Sequence, residues 1–261
     1  MAQCTEALYL HDASLRTLTT EVISCQSISS LSENEKCLAK SLSPEYSAIV
    51  MRQTILYPRG GGQPSDTGTL ALEDQEPTFT VLLVRKTQDG RILHFGKPDN
   101  TDTIFVEGQR VIQNVDGDRR DYHSRLHTGG HIVGLAMELL FPDMKKVKAN
   151  HAPGEACMEY EGLLYNEQKL LIQAKVDELV KQDLPILISW VEDGSDLEGR
   201  GKIAKAQFES QVLVDLIRIL AVVPMSTGPV WLGLSLFAKS VDKKGLAGSR
   251  TKFLRSNRLV A

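Results

Sequence analysis

Cysteine is scarce. The 261 residues hold four, Cys4, Cys25, Cys37 and Cys157. No two form a C-x-x-C pair and their spacing lays out no disulfide framework, so free thiols in a reducing compartment are expected. Aromatic residues are few as well, at 6%. No run reaches the roughly 18 apolar residues that a membrane span needs, so no membrane partner is expected. The start, Met1-Ala2-Gln3-Cys4-Thr5-Glu6, lacks a basic and then apolar leader, and a cytoplasmic location is expected. Neither charge sign is in excess: 30 Lys and Arg against 33 Asp and Glu leave −3. That argues against a dedicated nucleic-acid coat, which would be strongly basic, and leaves room for a local basic patch. With 42% hydrophobic and 24% charged residues, the composition is globular rather than disordered, collagenous or coiled-coil. The length suits one large domain or two small ones.

The pattern divides the chain. β-branched residues predict a strand over 16–25, and the Ser-, Glu- and Lys-rich stretch 27–44 reads as a loop. Ser47-Ala-Ile-Val-Met51 precedes a second apolar run, Thr54-Ile-Leu-Tyr57. Strand-like segments follow at 78–85, 91–95 and 103–106. The first part is expected to be a small barrel or strongly bent sheet. Beyond Asp116 the periodicity changes. Residues 122–141 predict a helix with Ile132, Leu135, Ala136, Leu139 and Leu140 on one stripe. Asn166 is placed to cap a second helix with Ile172, Val176, Leu179 and Val180 on one face. Strands are expected at 186–191 and 212–223, and a further helix around 201–210. The fold class is α+β, with a β-barrel-like domain over 1–112 and a helix-on-sheet domain over 113–261.

Two features carry chemical information. The row His123-Ser-Arg-Leu-His127-Thr-Gly-Gly-His131 places imidazoles four apart, and i and i+4 residues share a helix face, so an adjacent pair can grip one metal ion. All three cannot, because eight residues span about 12 Å of helix axis. The second feature is Pro58-Arg59-Gly60-Gly61-Gly62-Gln63-Pro64. Three glycines in a row allow a backbone to approach a ligand closely. The Lys-Ser/Thr of a phosphate-binding P-loop is missing, which argues against nucleoside triphosphates.

Together with Thr5-Glu-Ala-Leu-Tyr-Leu-His-Asp12, the stretch Gln53–Gly68 and the stretch Asp118–His131 resemble the AlaX-type alanyl-tRNA editing proteins, relatives of the editing domain of alanyl-tRNA synthetase. The resemblance implies an N-terminal translation-factor-like β-barrel and a C-terminal two-layer second additional domain. It implies hydrolysis of the ester in tRNA(Ala) mischarged with serine or glycine. His127 and His131 would bind zinc. Gln63 with Gly60, Gly61 and Gly62 would face the aminoacyl end, and Thr67 matches a position that favours the serine hydroxyl. Apart from the resemblance, Arg119 and Arg120 sit just before the predicted helix, where an anionic substrate could bind, with Asp116 or Asp118 as alternative salt-bridge partners.

The sequence departs from the family at the other half of the zinc motif. Its C-x-x-x-H corresponds to Met225 and Pro229, and no Cys follows Cys157 and no His follows His151. Proline offers no side-chain ligand and a thioether is a poor one for zinc. Either no cofactor is bound, or zinc is held by a rebuilt site that takes a third ligand from His123, His151 or Cys157. Three readings follow: a deacylase acting on aminoacylated tRNA; a repurposed zinc-free enzyme (cyclase, lyase or hydrolase) acting on a small molecule in a biosynthetic pathway, with His127, His131 and Gln63 catalytic; or a non-catalytic tRNA- or protein-binding module. Basic clusters at Lys145, Lys146 and Lys148, and from Lys239 to Arg258, are candidates for tRNA contact.

Overall fold

The structure is a computed structural model and describes residues 4–73, 77–99, 105–183, 187–191, 212–216 and 235–239. In chain order the elements are strands β1 (Glu6–Ala7) and β2 (Thr17–Ser27), the short helix α1 (Glu33–Lys36), and strands β3 (Ser47–Met51), β4 (Gln53–Thr54), β5 (Gly68–Leu72), β6 (Pro77–Lys86), β7 (Ile92–Pro98) and β8 (Arg110–Val115). Then come helix α2 (Gly117–Leu140), strands β9 (Lys146–Asn150) and β10 (Cys157–Glu161), helix α3 (Asn166–Lys181), and strands β11 (Leu187–Val191), β12 (Val212–Leu216) and β13 (Ser235–Lys239). The α+β character expected from the sequence is present.

Six antiparallel strands close into a barrel in the order β2-β3-β7-β6-β5-β8. Strand β2 makes the closure. Its first half pairs with β8, from Thr17 to Glu21. Its second half pairs with β3, and a register shift between Val22 and Ser24 marks the change of partner. Such irregularities bend a strand and let a sheet curl onto itself. The interior is filled by Val22, Ile49, Met51, Leu70, Phe79, Val81, Ile92 and Val111.

Strand β3, Ser-Ala-Ile-Val-Met, shows no polar alternation because both of its faces are covered. Ile49 and Met51 enter the barrel, while Ala48 and Val50 meet Ile28, Leu31 and Ala39 on the outside. The stretch 27–44 is therefore not simply a loop. It carries α1, closed by a capping box between Ser32 and Glu35, and its apolar residues seal the outer face of β3 and β7. Phe105 and Val106 lie outside any strand, unlike the expectation for 103–106.

A polar knot sits inside this apolar barrel. His94 is fully buried. Its Nδ1–H donates to the Ile49 carbonyl at 3.0 Å, and its Nε2 pairs with the Thr54 hydroxyl at 2.8 Å. The Gln113 amide donates to the Gln53 carbonyl at 2.8 Å.

Helix α2 starts earlier than the apolar periodicity shows. Asp116 caps it by accepting from the Arg119 N–H, so Arg119 and Arg120 lie in the first turn rather than before the helix. The buried stripe also differs. Ile132 and Ala136 are buried, but Leu139 is 56% exposed, and Leu126, Val133 and Met137 take its place. Val133 and Met137 pack with Met158 and Tyr160 of β10 and Ile172 of α3. The cap of α3 is Tyr165, with Asn166 the first helical residue, and Val180 is exposed. Strand β10 pairs antiparallel with β9 and parallel with β13, and β11 pairs with β12. The helix expected at 201–210 and residues 217–223 lie outside the described residues.

Among the described residues, a buried ion pair joins barrel and helix. Asp66 is 0% exposed and Arg120 4%. The guanidinium meets the Asp66 carboxylate through Nε at 2.8 Å and again through an Nη. It also donates to the Ile55 carbonyl at 2.5 Å and the Ala13 carbonyl at 3.1 Å.

Two predictions follow from these buried groups. Arg120→Ala strands the Asp66 carboxylate, and loss of one partner of a buried pair costs about 3–5 kcal/mol; urea unfolding of the variant reads that loss, and an unchanged midpoint refutes it. The second concerns pH. Burial lowers the His94 pKa to about 4, against the usual 6.5. Between these values the unfolded chain binds the proton and the folded chain does not, so stability is full above pH 6.5 and falls as pH drops. The His94 contribution lost between pH 7 and 5 is about 2 kcal/mol. In His94→Gln the pH-dependent decline shrinks by that amount.

Candidate active site

The glycine run is a tight reverse turn rather than a flexible loop. Gly60 and Gln63 exchange backbone hydrogen bonds, Gly60 N–H to Gln63 O at 3.2 Å and Gln63 N–H to Gly60 O at 2.9 Å. The two central residues, Gly61 and Gly62, have φ of +56° and +81°. A two-residue turn with both φ positive favours glycine at each. Asp66 holds its base, accepting from the Tyr57 N–H at 2.6 Å while its own N–H donates to the Tyr57 carbonyl at 2.9 Å. The turn therefore projects rigidly from the barrel toward α2.

Gln63 leaves the turn on the inner side and is buried. Its amide oxygen accepts from the Nδ1–H of His127 at 2.8 Å. An amide oxygen only accepts, so the proton is on Nδ1 and the Nε2 lone pair is free. A Cβ on Gly61 would lie 3.9 Å from that Nε2, so the nitrogen faces the bare backbone of the turn.

His127 and His131 lie one helical turn apart, ring centroids 4.8 Å, planes 28° apart. A third imidazole joins them from the residue that follows β9. His151 lies 4.5 Å from the His127 ring and 5.9 Å from the His131 ring, both nearly parallel. One ligand atom from each of the three falls within 4.8 Å of the others. Burial, followed by the neighbouring His151 and His131, lowers the His127 pKa to about 3. Burial, followed by His131 and Lys146, lowers that of His151 to about 4. Both rings are neutral at pH 7, the form that binds metals.

His151 is positioned by both glycine motifs. Its N–H donates to the Gly62 carbonyl at 2.9 Å. Its ring lies directly against Gly130, where a Cβ would fall inside the imidazole. Gly129 and Gly130 stand inside a continuous helix at a cost of about 1 kcal/mol each relative to alanine, and the close approach of His151 accounts for Gly130. Chain order alone does not place His151. The signal present in the sequence was the Gly-Gly between two spaced histidines, unfavourable in a helix, which marks a neighbour pressing on that face.

The other expected residues fall elsewhere. His123 is buried and outside the three-imidazole group. Cys157 is half-buried opposite Asn150 in the β9–β10 register, and burial raises its thiol pKa. Arg120, expected to meet an anionic substrate, spends its donors on Asp66, Ile55 and Ala13, and neither Asp116 nor Asp118 is its partner. It is buried inside the protein because a guanidinium is needed to compensate Asp66. The Thr67 hydroxyl turns to the Asp116 carboxylate at 3.4 Å, and its carbonyl accepts from the Asp116 N–H at 2.9 Å. Met225 and Pro229 lie outside the described residues. His127 and His131 fit a zinc-type ion by donor chemistry, and the buried Nδ1 of His151 has no hydrogen-bond partner among the described residues.

An open cleft of about 680 Å³ runs from Gly61 along Lys145, Lys146, Lys148 and Ala149. The first basic cluster thus borders the turn. Of the second cluster only Lys239, in β13, belongs to the described residues.

Comparison with known proteins agrees with the motifs. Residues 2–119 match the family described as tRNA synthetases class II (A). The alanyl-tRNA editing protein AlaX-M of Methanosarcina barkeri is 40% identical over 90 residues, 34% of this chain and 37% of that protein. The AlaX-M of Methanosarcina acetivorans is 35% identical over 136 residues, 51% of this chain and 48% of that protein. An alanine–tRNA ligase of Halorubrum lacusprofundi is 33% identical over 145 residues, 54% of this chain and 15% of the ligase. The matched regions span less than half of each of these relatives. On these matches the chain is a relative of the AlaX-type alanyl-tRNA editing proteins.

Proposed function

We propose that this chain hydrolyses the ester joining an amino acid to the 3′ end of tRNA, with tRNA(Ala) mischarged with serine or glycine as substrate. In this reading the barrel is the translation-factor-like domain of 1–112, and 113–261 is the second additional domain. The observation that carries the reading is the hydrogen bond from His127 to Gln63, which sets the imidazole cluster behind a wall of bare glycine backbone.

The chemistry needs a site where an acyl carbon can approach closely. Gly61 and Gly62 present no side chain, so the aminoacyl end can lie against the turn beside His127 Nε2. Gln63 fixes the His127 ring, and the buried Asp66–Arg120 pair fixes the turn. A cation held by His127 and His131 would supply Lewis-acid stabilisation of charge developing on the ester oxygen. Water adds to the carbonyl carbon, the acyl–oxygen bond breaks, and the amino acid and a tRNA hydroxyl leave. Lys145, Lys146 and Lys148 lie along the cleft where the tRNA phosphates would run.

The experiment is deacylation by the purified chain supplied with zinc. Ser-tRNA(Ala) and Gly-tRNA(Ala) are hydrolysed, Ala-tRNA(Ala) persists, and His127→Ala slows the reaction about a hundredfold or more, as expected when a stabilising group is removed. A wild-type chain that leaves both mischarged substrates intact overturns the reading. Binding of tRNA also weakens with salt, and Lys148→Ala lowers the slope of log affinity against log salt by about 1, measured by titration at several ionic strengths.

A further inference from the structure

The chain holds no Cys after Cys157 and no His after His151, so a zinc site built as in the resembling family lacks half its ligands. We propose that His127, His131 and His151 are the complete protein ligand set of a divalent transition-metal centre, zinc by donor type, with an open fourth position. His151 replaces the missing half from a different place in the fold, just after β9.

Four observations support this assignment. Among the described residues, these three form the one group of His, Cys, Asp or Glu placed to hold an ion, and their ligand atoms lie within 4.8 Å of one another. On a tetrahedral zinc with bonds of 2.0–2.1 Å, ligand atoms are about 3.4 Å apart, so an ion would draw the three rings closer and turn them out of their near-parallel stack. Next, the His151 ring is seated against Gly130, its main chain is tied to the Gly62 carbonyl, and any side chain at Gly130 would displace it. The bare helix surface at Gly130 leaves room for this one imidazole. Third, Gln63 accepts from His127 Nδ1. A metal-bound histidine typically donates its other ring N–H to an oxygen, which fixes tautomer and orientation. Gln63 is then a positioning residue for the metal ligand. Last, among the described residues His151 Nδ1 is buried without a hydrogen-bond partner, a state that a packed cluster of neutral rings does not explain.

Three imidazoles and one open position form the ligand pattern of a catalytic zinc site, whereas a structural site is closed by four protein ligands. The assignment concerns metal binding alone and does not depend on which substrate occupies the cleft.

The test is metal content and ligand identity in the full chain. Stripped protein takes up one zinc per chain, and X-ray absorption at the zinc edge of the wild type shows three imidazoles and no sulfur. His151→Ala binds zinc at least about a hundredfold more weakly. Gln63→Leu binds it about 10–100-fold more weakly, the range for loss of an orienting partner. Cobalt substituted into Cys157→Ser gives the wild-type visible spectrum. No zinc uptake, sulfur in the wild-type shell, only two imidazoles, or His151→Ala affinity within threefold of wild type overturns the proposal. Should His151→Ala fail to fold, the wild-type absorption data decide the question. Loss of deacylation with this metal signature intact refutes the hydrolase reading and leaves the metal centre standing.

Discussion

The site depends on the contact between Asp66 and Arg120. Removing two charges from water costs several kcal/mol per ion, which only close geometry and further hydrogen bonds offset. Here the guanidinium meets the carboxylate through two nitrogens and donates to two main-chain carbonyls besides. Asp66 in turn receives the Tyr57 N–H. One pair thus locks the base of the glycine turn to the first turn of α2. His127 stands seven residues further along, about 10 Å of helix axis. A slip of one residue in the helix would rotate its ring by about 100° away from Gln63. The ion pair sets the angular register, and the Gln63–His127 bond uses it.

Much of this was legible in the residues themselves. The histidine spacing gives a shared helix face because the period of a helix is fixed. The β-rich first part gives a barrel because its short strands are separated by turn residues. What did not show was anything set by a partner distant in sequence. The continuous apolar run of β3 needed the covering segment around Ile28, Leu31 and Ala39, whose polar neighbours make it read as loop. Leu139 fits the helical stripe by spacing yet faces solvent, because the sheet and α3 lie against the Val133–Met137 side. Arg120 reads as a free cation because its partner Asp66 is 54 residues away.

The glycines carry a similar lesson. Gly60-Gly61-Gly62 and Gly129-Gly130 sit more than 60 residues apart and look like separate peculiarities. In space Gly62 and Gly130 flank one imidazole, that of His151. Neither motif explains the other without the strand that brings this residue between them.

That strand has a second consequence. Among the described residues β9 is an outer strand of its sheet, with β10 on one side only. An open strand edge is a template on which another chain can pair and aggregate. Lys146 and Lys148 are exposed along it, and charge of this kind is a common means of discouraging such pairing. Val147, exposed between them, would otherwise offer an apolar foothold. Replacing these lysines to study nucleic-acid contact therefore also strips the edge of its guard, and solubility becomes part of the outcome.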